Sequence, residues 1–272
     1  MAAVKRLRQV PYINGWHVSP LSEAFSRQGM SAEAGGAVHM PSLIYRITGK
    51  GGLTMSFFGL IRENGVYLLA AMGKTLQLTL LSLIFAAFIG LFFGLLNVAK
   101  SRILNTIANV YIDCIRGVPL IVLAFFVYFG IPMATGVRLD ALTAGIISLS
   151  MNAGAYMAEI VRAGIQSIDK GQMEAARSLG LPYGRSMCKV VLPQAIRVMI
   201  PSIINQFIIT LKDTSILSVI GFPELVKAGQ IVIARNFETF KMWAIIAVMY
   251  LIVITTLSKT ARALERKISY GK

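Results

Sequence analysis

The sequence predicts an all-α integral membrane protein with five core spans and one short helix in a water-exposed loop. Three observations predict it. The 272 residues are 56% hydrophobic and 14% charged, with a mean hydropathy of +0.67, which is more apolar surface than a soluble domain of this length buries. The apolar residues fall in runs of about 20, the length of helix that crosses a bilayer. The bases behind the formal net charge of +15 sit between those runs rather than on one face of a soluble domain, a pattern that orients a membrane protein and argues against a nucleic-acid partner.

The first run, 75–99, contains no charge and is the clearest span. The second apolar run is short, so its helix is expected to begin earlier and to cover 104–133 with Pro119 tolerated inside it. Further spans are expected at 139–161, 190–211 and 240–260. Between the last two, residues 212–239 hold an apolar stretch too brief to cross and broken by Gly221 and Pro223. It reads as a re-entrant or gate-lining segment, which a bilayer permits where protein or water covers the backbone, or else as an amphipathic surface helix. Cys114 and Cys188 lack metal-ligand spacing and are expected as free thiols.

Bases set the orientation. Lys100 and Arg102 follow the first span, Arg162, Lys170, Arg177, Arg185 and Lys189 surround the loop after the third, and Lys259, Arg262, Arg266 and Lys267 follow the fifth. These regions share the cytoplasmic side, with the N-terminus outside and the C-terminus cytoplasmic. The bases of residues 1–64 fit this less well, and no signal peptide explains them. That stretch is treated as a leader with no assigned structure, ahead of a membrane domain at 65–267 and a tail at 268–272. Residues before about Met55 are expected to be a non-native or mis-assigned leader, the alternative being an amphipathic arm on the membrane.

The loop after the third span reads SIDKGQMEAARSLGLP. Asp169 is placed to cap a helix, with Gln172 three residues on as in a capping box, and Gly180 and Pro182 are placed to end it. The expected helix, 169–180, is too short to be stable alone and is expected to be covered by a partner. Glu174, Ala175 and Ala176 would present an acidic group and two side chains small enough for a close approach.

The run Glu174-Ala175-Ala176, with Gly180 and then Leu192-Pro193, resembles the coupling loop of type I ABC importer permeases. Gly73-Lys74-Thr75-Leu76, Arg116-Gly117-Val118-Pro119-Leu120, the segment from Tyr156 to Ile165, and Leu211-Lys212-Asp213-Thr214-Ser215 resemble the polar amino-acid branch of that family. The resemblance implies a five-helix transmembrane core with a cytoplasmic coupling helix in a bacterial inner membrane. It implies two ATPase subunits that carry the ATP and Mg²⁺, a second permease copy or homologue, an external solute-binding protein, and a polar amino-acid substrate. This chain itself would bind no cofactor and no metal, and would catalyse nothing. Glu174, Ala175, Ala176 and Gly180 would couple to the ATPase.

Polar side chains inside spans are costly unless they face a cavity or another helix. Asn152, Tyr156, Glu159 and Asn205 are the expected substrate path, with interhelical hydrogen bonds an equal reading for the two asparagines. Asp113, Arg116 and Arg162 are candidates for a cytoplasmic gate, either through a pair between Asp113 and Arg116 three residues apart or through Glu159 paired with Arg162 or the Arg116 region. A secondary transporter or channel would show repeated halves or a pore motif, and a membrane enzyme would need nucleophile or metal-ligand patterns. Neither is evident, and the two histidines, His17 and His39, both lie in the leader.

Overall fold

A computed structural model describes residues 56–99 and 101–269, with side chains described through 263. The expectations for residues before Met55, including His17 and His39, lie outside the described residues. The chain forms helices α1 (Phe57–Asn97), α2 (Arg102–Gly117), α3 (Leu120–Thr135), α4 (Ala141–Gln166), α5 (Lys170–Ser178), α6 (Tyr183–Ile220), α7 (Leu225–Asn236) and α8 (Thr239–Ser269). Among the described residues α1, α4, α6 and α8 are long and apolar enough to cross a membrane, and α2 with α3 makes a fifth crossing if the pair is one broken span.

The helix containing the first span starts well before residue 75, so the expected boundary between 64 and 65 falls inside α1. The second span departs further from expectation: the chain bends by 99° between α2 and α3. Pro119 has no N–H to give the helix ladder, and it forces the residue before it out of the helical region. Val118 accordingly sits at φ −104°, ψ 130°. Pro132 acts more mildly. The turn just before it, Phe126–Gly130, widens to π-helical geometry and the helix continues, which relieves the clash of a proline ring with the preceding turn. The same widening, at Met187–Val191, precedes Pro193 in α6.

Lipid is as apolar as leucine, so helices associate in it through close packing and buried polar contacts. The α1–α4 pair, the most extensive in the molecule, uses both. A Cβ on Gly94 would lie 2.6 Å from the Val161 Cβ, and one on Gly154 would lie 2.7 Å from Ile89 Cγ2, so these glycines set the spacing. Ser150 Oγ donates to the Ser82 carbonyl across the pair at 3.1 Å. Ser148 is spent within α4 on the Ala144 carbonyl. Against these buried seams, α1 turns Phe88 and Phe92 outward, and α8 turns out Leu251 and Ile252, the apolar exterior of a protein solvated by lipid.

Three asparagines tie α1 to α2. Asn97 Nδ2 donates to Asn109 Oδ1 at 2.7 Å, Asn109 Nδ2 to Asn105 Oδ1 at 2.8 Å, and Asn105 returns to the Asn97 carbonyl. Tyr111 then stacks on Phe93 at 3.9 Å and donates to the Met151 carbonyl of α4. With Tyr111 bonded to α4, Arg116 at the end of α2 lies beside Tyr156 and Glu159. At the start of α4, Asp140 caps the helix by accepting from the Leu142 and Thr143 amides. The Thr143 hydroxyl, foremost, and these amides hold its carboxyl below the usual carboxylate range.

Candidate functional site

Two places gather the residues singled out by the sequence. The first is α5. Its start is capped by Asp169, whose carboxylate accepts from the Gly171 amide at 2.6 Å. Gln172 does not close the expected capping box; its side-chain oxygen accepts from Gln194 of α6 instead. At the other end Gly180 sits at φ +83°. Its amide bonds to the Arg177 carbonyl and the next amide, Leu181, reaches back to Ala176, the paired bonds of a glycine-terminated helix. Glu174, Ala175 and Gly180 are exposed, and Leu179 beside them is 84% exposed. Ala176 is 4% exposed. It was expected on the partner-facing side, but it belongs to the side that seats α5 on its own chain. Met173, also on that side, packs into the cluster of Val161, Ile165, Val191, Ala195 and Met199.

The second place is a cleft of about 440 Å³ between α4 and α6, lined by Tyr156, Glu159, Ser202, Asn205 and Gln206 among others. Glu159 is its charged centre. Arg162 grips both carboxylate oxygens, through Nε at 2.9 Å and through its second terminal nitrogen, and sends its remaining nitrogen to Gln166. Arg116 approaches Glu159 from α2 at 3.8 Å and lies 5.1 Å over the Tyr156 ring. A two-point guanidinium grip is directional and strong, and a guanidinium over an aromatic face adds to it. Arg116 therefore takes Glu159 and Tyr156, and no ion pair joins it to the exposed Asp113 among the described residues. A solvent-facing carboxylate offers little attraction compared with a partly sheltered one. Asn152, one turn before Tyr156, is buried and lies outside the cleft lining.

Residues 86–270 match the family described as binding-protein-dependent transport system inner membrane component. The chain belongs to this family. Among its relatives, the glutamine transport system permease protein GlnP of Escherichia coli K12 is 43% identical over 194 residues, covering 71% of this chain and 89% of that one. The probable amino-acid ABC transporter permease protein YckA of Bacillus subtilis is 36% identical over 208 residues, covering 76% and 92%. A solved structure, described as an amino acid ABC transporter with histidines, superposes with a TM-score of 0.74 at 37% identity, covering 79% of this chain and all of that one. The inward-facing MetNI methionine transporter shares the fold, with a TM-score of 0.64 at 21% identity, covering 74% and 95%.

As a transport component of this family, the chain is a multi-pass inner-membrane protein and a permease subunit rather than an enzyme. No cluster of metal-ligating side chains occurs among the described residues, and Cys114 and Cys188 are free and exposed. One polar site escaped sequence reasoning. Glu224, at the start of α7, is fully buried. It accepts from the Val226 and Lys227 amides at 2.8 and 2.6 Å and from the Tyr250 hydroxyl of α8 at 3.2 Å. The signal available in the sequence was a lone acidic residue wedged between Pro223 and an apolar stretch.

Proposed function

We propose that this chain imports a polar amino acid by alternating access, with α5 docked in a groove of a separate ATPase and the α4–α6 cleft lying on the substrate path. What carries the reading is the way α5 is held: Met173 packs it on α4 and α6 and Ala176 is buried, while Glu174, Ala175 and Leu179 stay bare. A helix so short, firmly seated and uncovered on one side is built to pass a push from a partner to the bundle. The relatives named for glutamine and for amino acids, and the solved transporter with histidines, support the substrate class. Two ATPase subunits supply ATP and Mg²⁺, a second permease copy or homologue completes the pathway, and an external solute-binding protein delivers the amino acid.

In this reading the end bearing α5, Asn97 and Lys259 is cytoplasmic, the N-terminus and α7 lie outside, and α7 with the turn before it is the outer gate segment. The pairing of Arg116, Glu159 and Arg162 closes the cleft toward the cytoplasm. The substrate meets two guanidiniums set against one carboxylate, with Tyr156, Asn205 and Gln206 to accept and donate hydrogen bonds around its polar groups.

The test is uptake of a labelled amino-acid panel and ATP hydrolysis by the full complex in proteoliposomes. Glu174→Lys and Ala175→Arg are expected to abolish ATPase stimulation and uptake while leaving the permease folded and inserted. Arg116→Gln is expected to retain ATPase association but raise hydrolysis uncoupled from uptake. Full coupled transport by both α5 variants would remove the docking role from this helix.

A further inference from the structure

We propose that Glu224 is the positioning residue of the outer gate, a clamp that joins α7 to α1 and α8 and sets how readily the gate opens. The inference rests on the importer reading above and on a polar cluster that reading leaves unused. Four elements meet at it. Glu224 caps α7 with both carboxylate oxygens and takes the Tyr250 hydroxyl of α8. The next amide, Leu225, donates to Thr75 Oγ1 of α1 at 3.2 Å, and Thr75 in turn donates to the Ala71 carbonyl. The Thr75 hydroxyl and that of Thr214, in the turn ending α6, both interact with the Tyr250 phenol.

The choice of residue is informative. Serine, threonine or asparagine would cap α7 as well, without burying a carboxylate that makes no contact ion pair among the described residues and has Lys227 acting on it only through space. Glutamate is long enough to cap α7 and reach across to α8 in the same conformation, which the shorter caps are not. The clamp also sits at the head of a polar line on α6. Gln206 in the cleft donates to Thr210 at 3.3 Å, and Thr214 follows four residues later, all three buried. A one-turn spacing along one helix face connects the cleft to the clamp through a single rigid element, and such an element is what two sites need if each is to bias the other. The same joint holds the apolar contacts of Leu225, Ala228 and Val232 with Leu68, Met72 and Met242, so its loosening frees α7 as a unit.

The experiment uses the full complex in proteoliposomes, in a background with Cys114→Ser and Cys188→Ser. Val232→Cys, buried against α1 and α8, reports gate opening through its labelling by a membrane-impermeant thiol reagent added outside. Tyr250→Phe removes a single hydroxyl, and Glu224→Gln keeps the size of the side chain while removing an acceptor. Both are expected to speed labelling at position 232 by about tenfold or more, the shift that losing a hydrogen bond to a charged acceptor produces. Both are also expected to raise ATP hydrolysis in the absence of binding protein, with assembly and melting temperature close to the parent. Labelling and basal hydrolysis unchanged in both variants would overturn the proposal. So would loss of assembly in both, because the cluster would then serve folding alone. A failure of the importer reading is distinct: the parent complex itself would show no ATP-dependent uptake.

Discussion

Two short helices, α5 and α7, have the same local construction and opposite surroundings. Each begins at a carboxylate that accepts backbone amides, Asp169 in one and Glu224 in the other, and each ends on a residue in the left-handed region, Gly180 and Phe237. Asp169 is exposed and α5 leaves Glu174 and Ala175 uncovered, whereas Glu224 is fully buried and α7 packs Leu225, Ala228 and Val232 between α1 and α8, turning Gln230, Ala234 and Arg235 out. The difference teaches that a cap and a stop signal define a helix but say nothing about what it is for. Purpose follows from which sides remain free. α5 leaves Glu174 and Ala175 bare for another protein, and α7 commits its apolar side to its own bundle and shows only Gln230, Ala234 and Arg235.

The sharpest way to break this comparison is to attack the seat of α5 rather than its free side. Ala176→Arg forces a long cation into the buried side of α5, an overpacking and a buried charge together, and is expected to destabilise the permease by about 3 kcal/mol or more. Its neighbour Ala175→Arg is expected to leave the melting temperature within about a degree or two of the parent, since exposed substitutions cost less than about 0.5 kcal/mol. Thermal unfolding of the two purified proteins in detergent measures both. Equal melting temperatures would mean that α5 has no seat and that the contrast with α7 is false.

A smaller effect is expected from the enclosed helix. Glu224→Ala removes the acceptor of two amides and of the Tyr250 hydroxyl at a buried position, for a loss of about 2 kcal/mol, read by the same melting experiment. The corresponding cut in α5, Asp169→Ala, leaves the Gly171 amide to water. A cap residue that contributes equally in both places would show that enclosure, as described here, is irrelevant to its strength.

How much of this was legible in the sequence follows the same division. The spans and both ends of α5 were legible because apolar length, Asp169 and Gly180 act through their own neighbours in the chain. The inward turn of Ala176 was not, since which side of a helix faces the bundle depends on where the rest of the chain packs. Nor was the break at Pro119: the proline was expected to be tolerated inside one span, and the chain instead bends there by 99°. Glu159 and Arg162 lie three apart and their meeting was open to sequence reasoning. Arg116 reaches them because the asparagine set holds α2 to α1 and Tyr111 ties α2 to α4. Glu224 was least legible, as its partners Thr75 and Tyr250 are brought together by tertiary structure alone.

The smallest expected effect lies at Asp169 itself, and it tests whether α5 is poised rather than rigid. A nine-residue helix has little stability of its own, so removing the cap should fray its first turn without unseating Met173 and Ala176. The expected cost of Asp169→Ala is about 1 kcal/mol, confined to that turn. Hydrogen exchange of the Gly171 and Gln172 amides should quicken about fivefold in the permease alone, while Asp169→Asn, which caps as well, should restore the parent rate. Adding the ATPase should slow exchange in all three proteins, because a docked helix has its ends held from outside. If Asp169→Ala quickens exchange through Met173 and beyond as well, the cap and not the seat holds α5, and the push from a partner would then have to travel by another route.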